Sequence, residues 1–108
     1  TRAIVPGAVI AVRPVGVLRM KDEAGSDEKL IAVPIDKVFS GYKHIADIDQ
    51  VSPHWLERIG HFFEHYKDLE KGKWVKLDGW GDAAEAKRLI LESIERYNAT
   101  PEAEKPRF

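Results

Sequence analysis

Residues 13–34 read RPVGVLRMKDEAGSDEKLIAVP, which is two β-prone apolar runs separated by an acidic segment. Valine and isoleucine favour strands, whereas the proline at position 14 cannot donate to a ladder and indicates an edge, a bend or a bulge. We therefore expect strands at 8–12 and 15–18, or one bent strand, and a further strand at 30–34. The acidic segment then joins two strands as a hairpin whose loop is longer than minimal.

The acidic segment has the composition of a site for a divalent cation and a phosphate. Mg²⁺ prefers oxygen ligands and usually takes only one or two carboxylates, leaving its other positions to water and substrate phosphate. Asp22 and Asp27 are suited to that role, and Lys29 is suited to neutralise a phosphate oxygen as a point charge. An acidic hairpin tip is also an ordinary solvated turn, and the spacing alone leaves that alternative open.

Two amphipathic helices follow residues 35–51, which show no steady period apart from a possible helical turn near Ile45. Ser52 and Pro53 begin the first helix as N-cap and first helical residue, and Lys71 with Gly72 would end it. Its apolar stripe is expected to face the core and consists of Trp55, Leu56, Ile59, Phe62, Phe63 and Tyr66.

A strand at 73–77 then ends at glycine-containing turns, and the second helix begins at Asp82. Asp82 and Glu85 have the spacing of a capping box, and Ala83, Ala86, Ile90, Ile94 and Tyr97 repeat at helical intervals. The order of elements predicts an α+β fold, mainly β. We expect one domain over residues 1–97 and a flexible tail over 98–108.

Composition limits the classes of protein that this chain can belong to. Its 108 residues include 32% charged and 44% hydrophobic residues, a balance typical of a soluble globular domain. A net charge of −1 gives no general attraction for nucleic acid. No apolar run approaches the roughly 20 residues of a membrane span. With no cysteine and no signal-peptide pattern, we expect a cytoplasmic protein.

The first helix carries two further candidate groups. His61, Glu64 and His65 match the H-x-x-E-H pattern of zinc hydrolases, although zinc needs another protein ligand. These histidines form a stripe with His54 opposite the apolar face, which is also typical of a solvated surface or a subunit contact. Tyr66 and Lys67 can present a hydroxyl and an ammonium to an anion, although such a pair is more often packing plus solvation.

Long strings of this sequence resemble the bacterial type of soluble, Mg²⁺-dependent inorganic pyrophosphatase. They are RPVGVLRMKDEAGSDEKLIAVP, HFFEHYKDLEKGKWVKLDGW at 61–80, and the alanine-rich last helix. The resemblance covers nearly the whole chain apart from its tail. It implies part of a five-stranded, closed, OB-like barrel with two flanking helices, in a hexameric cytoplasmic enzyme that hydrolyses pyrophosphate to two orthophosphates through a metal-activated water.

The resemblance also implies roles for particular residues. It assigns Asp22 and Asp27 to Mg²⁺, with Glu23 as a supporting carboxylate, and it assigns the substrate phosphates to Lys29, Tyr66 and Lys67. It places the histidine stripe, His54, His61 and His65, at a subunit contact of the hexamer.

One part of the family pattern is missing from this sequence. The signature Asp-Gly-Asp-Pro-x-Asp, which supplies the central metal ligands and the general base, is expected upstream of Thr1. We therefore expect the chain to represent a C-terminal portion that holds one side of the site and is inactive alone. The alternatives are a non-catalytic OB-like module that binds nucleic acid or phosphate, and a zinc hydrolase that uses His61, Glu64 and His65.

Overall fold

The sheet is built around one long, bent strand. The computed structural model describes residues 4–106, so the first three residues of the predicted domain and the last two of the predicted tail lie outside the described residues. Strand β1 spans Val12–Asp22, and its register shifts between Pro14 and Gly16. The bulge follows from proline's missing N–H. Of the two predicted alternatives the structure has the single bent strand, but this strand begins at Val12 instead of residue 8 and continues to Asp22, beyond the predicted end at residue 18.

Three shorter strands pair antiparallel with β1. Strand β2 spans Gly25–Ser26 and β3 spans Lys29–Pro34, and both lie on the hairpin side of β1. Strand β4 spans Val75–Gly81 and pairs with the second half of β1. The strand was predicted to end at Leu77, but it continues through Gly79, whose φ of +84° is available to glycine, next to a second register shift.

The closed barrel of five strands is not formed within residues 4–106. These residues give four strands in an open sheet, because β3 and β4 both pair with β1 and no described strand joins their outer edges. The coarser prediction, a mainly β sheet with two helices, is confirmed.

Both predicted helices are present, and the first is shorter than expected. Helix α1 spans Pro53–His65 and α2 spans Ala83–Ala99. After His65 the chain continues in single turns, with the N–H of Asp68 donating to His65 and that of Glu70 donating to Lys67. Gly72 does adopt a left-handed conformation (φ +79°), but it closes this turn segment rather than the helix. No described helix is both long and apolar enough to cross a membrane.

The core is built around β1, which packs against α2 and, through Val15, against Val33 and Ile45. Val15, Val17, Leu18 and Met20 of β1 are at most 1% exposed, and Ala83 and Ala86 in the first turn of α2 are also buried. Asp82 caps α2 by accepting from the backbone N–H of Glu85 at 2.9 Å. The second half of the predicted capping box is absent, because the Glu85 carboxylate accepts a two-pronged hydrogen bond from Arg19 of β1 at 2.6 and 2.7 Å.

The prediction that the apolar stripe of α1 is core was wrong for this chain. Gly60 is the one buried residue of α1, and Trp55 and Phe62 are 48% and 56% exposed. The reason is geometric: among the described elements, α1 packs mainly on β4, where a Cβ at Gly60 would contact Leu77 and Trp80. A single edge strand is too narrow to cover a stripe that needs a wider apolar surface.

The segment between β3 and α1 is irregular, as expected, with 3₁₀ turns at Ser40–Tyr42 and Ile48–Gln50. Asp47 forms a capping box with Gln50 that the sequence analysis did not identify. Its carboxylate also accepts from the N–H of Ala83 at 2.9 Å, and these backbone hydrogen bonds lower the pKa of Asp47. Asp47 thereby ties this segment to the start of α2.

Candidate pyrophosphate and magnesium site

The acidic segment is a tight turn and not an open loop. Strands β1 and β2 pair Asp22 with Gly25, so that Glu23 and Ala24 are the two residues of the turn. Gly25 has a φ of +119°, which an L side chain rarely adopts. The N–H of Asp27 then donates to the carbonyl of Met20 at 2.9 Å. These constraints hold the carboxylates of Asp22 and Asp27 on one short stretch of backbone.

Lys67 joins the turn to the segment that follows α1. Its Nζ lies 2.9 Å from Oδ2 of Asp22 and 3.7 Å from Oε2 of Glu23. The side chains of Lys67 and Asp22 are only 14% and 10% exposed. The contact spans 45 positions of sequence, so it is a product of the tertiary fold.

The buried pair perturbs both of its members. The ammonium of Lys67, together with the N–H of Ala24 at 2.9 Å from Oδ1, lowers the pKa of Asp22. In turn, the hydrogen bond from Lys67 to Asp22 raises the pKa of that lysine, against the opposing effect of desolvation. Both groups are therefore charged near neutral pH.

A second ion pair lies beside the first. Nζ of Lys29, at the start of β3, is 2.8 Å from Oδ1 of Asp27, and both side chains are about one-third exposed. The same ammonium lies over the Phe63 ring, 5.6 Å from its centroid. Lys67 lies over the ring of Tyr66 at 5.5 Å, and the Tyr66 and Phe63 rings meet edge to face at 5.6 Å. Two aromatic rings thus position the two lysines.

Phe63 is a site residue that the sequence analysis missed, because it treated this ring only as part of the core stripe. A usable signal was present, since Phe63 lies four positions before Lys67 and therefore on the same side of the helix end. The six predicted residues of the metal and phosphate groups are otherwise brought together: Asp22, Glu23, Asp27, Lys29, Tyr66 and Lys67.

The donor set has the chemistry that Mg²⁺ requires. It offers neighbouring carboxylates, which the hard cation prefers, and lysines whose charge suits phosphate. Within residues 4–106, however, no group of three or more His, Cys, Asp or Glu side chains is arranged to hold a metal ion. At Asp22 and Asp27 the carboxylate oxygens face lysines, as described above. Two carboxylates suffice for Mg²⁺, so the residue types fit the ion.

The histidine stripe lies away from this site. His54, His61 and His65 are exposed on α1, and the rings of His61 and His65 are 4.5 Å apart. Nδ1 of His65 is 2.9 Å from Oδ2 of Asp68, a carboxylate outside the H-x-x-E-H pattern. A role for the stripe at a subunit contact stays a prediction.

The exposure of α1 also changes one argument about nucleic acid. The aromatic rings of the α1 stripe were expected to be buried, and buried rings cannot stack on bases, but Trp55, Phe62 and Tyr66 are substantially exposed. The remaining argument against such a module is the net charge of −1.

Paired acids and lysines at the end of the long strand suit a protein that binds a divalent cation together with phosphate. The sequence profile described as inorganic pyrophosphatase matches residues 1–98. The chain belongs to the inorganic pyrophosphatase family.

Individual relatives agree with this assignment. The chain is 79% identical over 96 residues to the inorganic pyrophosphatase of Xanthomonas campestris, covering 89% of this chain and 54% of that protein. It is 69% identical over 97 residues to the Xylella fastidiosa protein of the same name, covering 90% of this chain and 54% of the relative. The chain spans about half the length of the curated relatives it matches.

Solved structures show the same fold. The inorganic pyrophosphatase of Helicobacter pylori superposes with a TM-score of 0.86 at 47% identity, covering 88% of this chain and 56% of that one. The Thermus thermophilus enzyme gives a TM-score of 0.83 at 44% identity, covering 88% and 55%.

Proposed function

We propose that this chain supplies one wall of a Mg²⁺-dependent site that hydrolyses inorganic pyrophosphate to two orthophosphates. The observation that carries the proposal is the buried contact between Lys67 and Asp22. It brings the acidic turn together with the Tyr66–Lys67 segment, the two parts of the sequence that the family resemblance assigns to metal and substrate.

The carboxylates of the turn are the proposed metal ligands. Asp22 and Asp27 would hold Mg²⁺, with Glu23 at the rim as a supporting carboxylate. Bound Mg²⁺ supplies charge neutralisation and activation of water for attack on phosphorus.

The lysines and the tyrosine are the proposed phosphate ligands. Pyrophosphate is a polyanion, so Lys29 and Lys67 would screen its oxygens, and the Tyr66 hydroxyl would donate to one of them. In the overall reaction the oxygen of water bonds to one phosphorus while the bridging P–O bond breaks. The second phosphate leaves with the bridging oxygen. The lysines would hold the phosphates in line for this displacement and stabilise the charge that develops on their oxygens.

The remaining features of the complete enzyme are proposals that rest on family membership. We propose a general base outside this chain, a barrel closed by strands that pair with the outer edges of β3 and β4, and a cytoplasmic hexamer. The exposed apolar stripe on α1 supports a larger assembly, since monomeric proteins rarely expose wide apolar surfaces.

A binding experiment on the 108-residue chain tests the proposal. Amide resonances of residues 22–27 are followed by NMR while Mg²⁺ and methylenediphosphonate, a non-hydrolysable analogue of pyrophosphate, are titrated. Asp22→Asn should weaken Mg²⁺ binding at least about tenfold, because it removes a charged ligand. The control, Asp49→Asn, removes an equal charge from an exposed 3₁₀ turn and should leave the binding unchanged.

The results separate the parts of the proposal. Equal Mg²⁺ affinity of Asp22→Asn and wild type would refute the metal site. Phosphate release from pyrophosphate is measured on the same samples, and we expect little or none from the chain alone. Robust Mg²⁺-dependent release would leave the function intact and overturn the assignment of the general base to residues outside this chain.

A further inference from the structure

Asp22, which the proposed function assigns to Mg²⁺, already forms an ion pair with the ammonium of Lys67. Oδ2 of Asp22 accepts from Lys67, and Oδ1 accepts from the N–H of Ala24. Glu23 is also within 3.7 Å of the same ammonium. The ammonium of Lys67 therefore occupies the position that a metal ion bound to Asp22 would take.

A phosphate would compete with Asp22 for the ammonium of Lys67. An ammonium is a compact charge, and here it is directed at the carboxylates of Asp22 and Glu23, with only 14% of the Lys67 side chain exposed. A divalent cation arriving at Asp22 repels the ammonium, whereas a phosphate nearby attracts it. Mg²⁺ and phosphate thus both affect the position of the Lys67 side chain.

We propose that Lys67 occupies the cation position of the ligand-free site and couples the two ligands: phosphate draws Lys67 away and frees Asp22 for Mg²⁺. This inference rests on the proposed function and adds an order of events to it. Because such coupling is reciprocal, Mg²⁺ on Asp22 also releases Lys67 and raises the affinity for phosphate by the same factor.

The second ion pair is a weaker candidate for this role. Lys29 and Asp27 lie only two positions apart in the hairpin, and both are more exposed than Lys67 and Asp22. Exposed pairs contribute less because water screens them. Lys29 is also held by the Phe63 ring. The coupling is therefore assigned to Lys67, which comes from a separate segment of the chain.

The test measures the Mg²⁺ affinity of the 108-residue chain with and without inorganic phosphate. Binding is followed by the amide shifts of residues 22–27 and plotted against the free Mg²⁺ concentration. In wild type, phosphate should raise the Mg²⁺ affinity severalfold. In Lys67→Met, which keeps most of the unbranched apolar stem and removes the charge, the affinity without phosphate should rise about tenfold, the size of one charge-assisted hydrogen bond. The effect of phosphate should fall at least about threefold.

Lys21→Met is the matched control. Lys21 precedes Asp22 on β1, so its side chain points to the opposite face of the sheet, and it is exposed. Its removal changes the net charge by the same amount and should raise the Mg²⁺ affinity less than about threefold, because the charge is screened. The effect of phosphate should match that in wild type.

Three outcomes overturn the inference. The first is a Lys67→Met chain that binds Mg²⁺ no more tightly than Lys21→Met, and the second is an unchanged effect of phosphate in Lys67→Met. The third is a wild-type Mg²⁺ affinity that phosphate does not alter, which decides the matter even if the Lys67 variant fails to fold. Failure of the proposed function is distinguishable, because Mg²⁺ would then shift none of the amides 22–27 in any of the proteins.

Discussion

Two buried glycines should respond in opposite directions to the same substitution by alanine. Gly16 lies at the bulge of β1, where a Cβ would stand 2.5 Å from Cδ1 of Ile48 and 3.0 Å from the carbonyl oxygen of Gly81. Gly60 lies inside α1, where a Cβ would find Leu77 and Trp80 at 3.7 and 3.9 Å, ordinary contact distances. We expect Gly16→Ala to destabilise the chain and Gly60→Ala to stabilise it.

The magnitudes follow from these distances. At Gly16 the Gly81 oxygen belongs to the paired strand β4 and cannot move alone, so overpacking should cost about 1–3 kcal/mol. At Gly60 the new methyl group needs no rearrangement, and alanine in a helix interior gains about 0.5–1 kcal/mol over glycine. In a domain of this size, each kcal/mol moves the melting temperature by roughly 4–8 °C.

Thermal unfolding followed by circular dichroism at 222 nm, with urea unfolding as a second measure, gives the free energy of unfolding of each variant. Ile48→Val removes Cδ1, the atom closest to the new Cβ. Combined with Gly16→Ala, it should recover about 0.5–1.5 kcal/mol relative to the sum of the single changes. The reasoning is refuted if Gly16→Ala is as stable as wild type, or if Gly60→Ala is less stable.

Two further predictions concern an ion pair and the histidines. The hydrogen bonds from Arg19 hold the pKa of Glu85 below its ordinary value of 4.5, so the stability that this pair contributes is present above pH 4.5 and is lost as the pH falls through the lowered pKa. Glu85→Gln should therefore be less stable than wild type at neutral pH, with a difference that shrinks below pH 4.5; urea titrations showing a pH-independent difference would contradict this. For the H-x-x-E-H pattern, we expect no stoichiometric zinc binding, because Nδ1 of His65 is directed at Asp68. Elemental analysis of metal-free protein supplied with zinc measures this. One zinc per chain in wild type, lost in His61→Ala, would support the zinc hydrolase instead.

The local elements were largely predictable from sequence, because their determinants are local. Pro14 marked the bulge of β1, and Asp82 marked the cap of α2 through a hydrogen bond to a backbone group three residues away. Predictions from sequence were wrong where a side chain could hydrogen-bond either to a local partner or to a distant one. Glu85 has the right spacing to complete the capping box, yet it pairs with Arg19, 66 positions away.

The end of α1 and the exposure of its apolar face show the same difference between local sequence signals and long-range contacts. The pattern predicted a helix that ends at Lys71 with Gly72 as its cap, but α1 ends at His65, and Lys67 contacts Asp22 from the turns that follow. The stripe from Trp55 to Tyr66 has the period of a buried helix face. Periodicity reports that a face is apolar, however, and only the packing of α1 on one edge strand shows how little of it this chain covers.

For the candidate site, the sequence by itself determined the residue types and their order: acids in the turn, Lys29 at the start of β3, and the pair Tyr66 and Lys67 after an apolar helix. Those types define a chemistry of hard cations and phosphate, because carboxylates and ammonium groups are ordinarily charged near neutral pH. The tertiary structure alone decided that Lys67 rests on Asp22 in a mostly buried contact and that Phe63 supports Lys29. The physical reason is that contacts between distant segments depend on how β1 and α1 are held relative to each other by β4, and no local pattern encodes that arrangement.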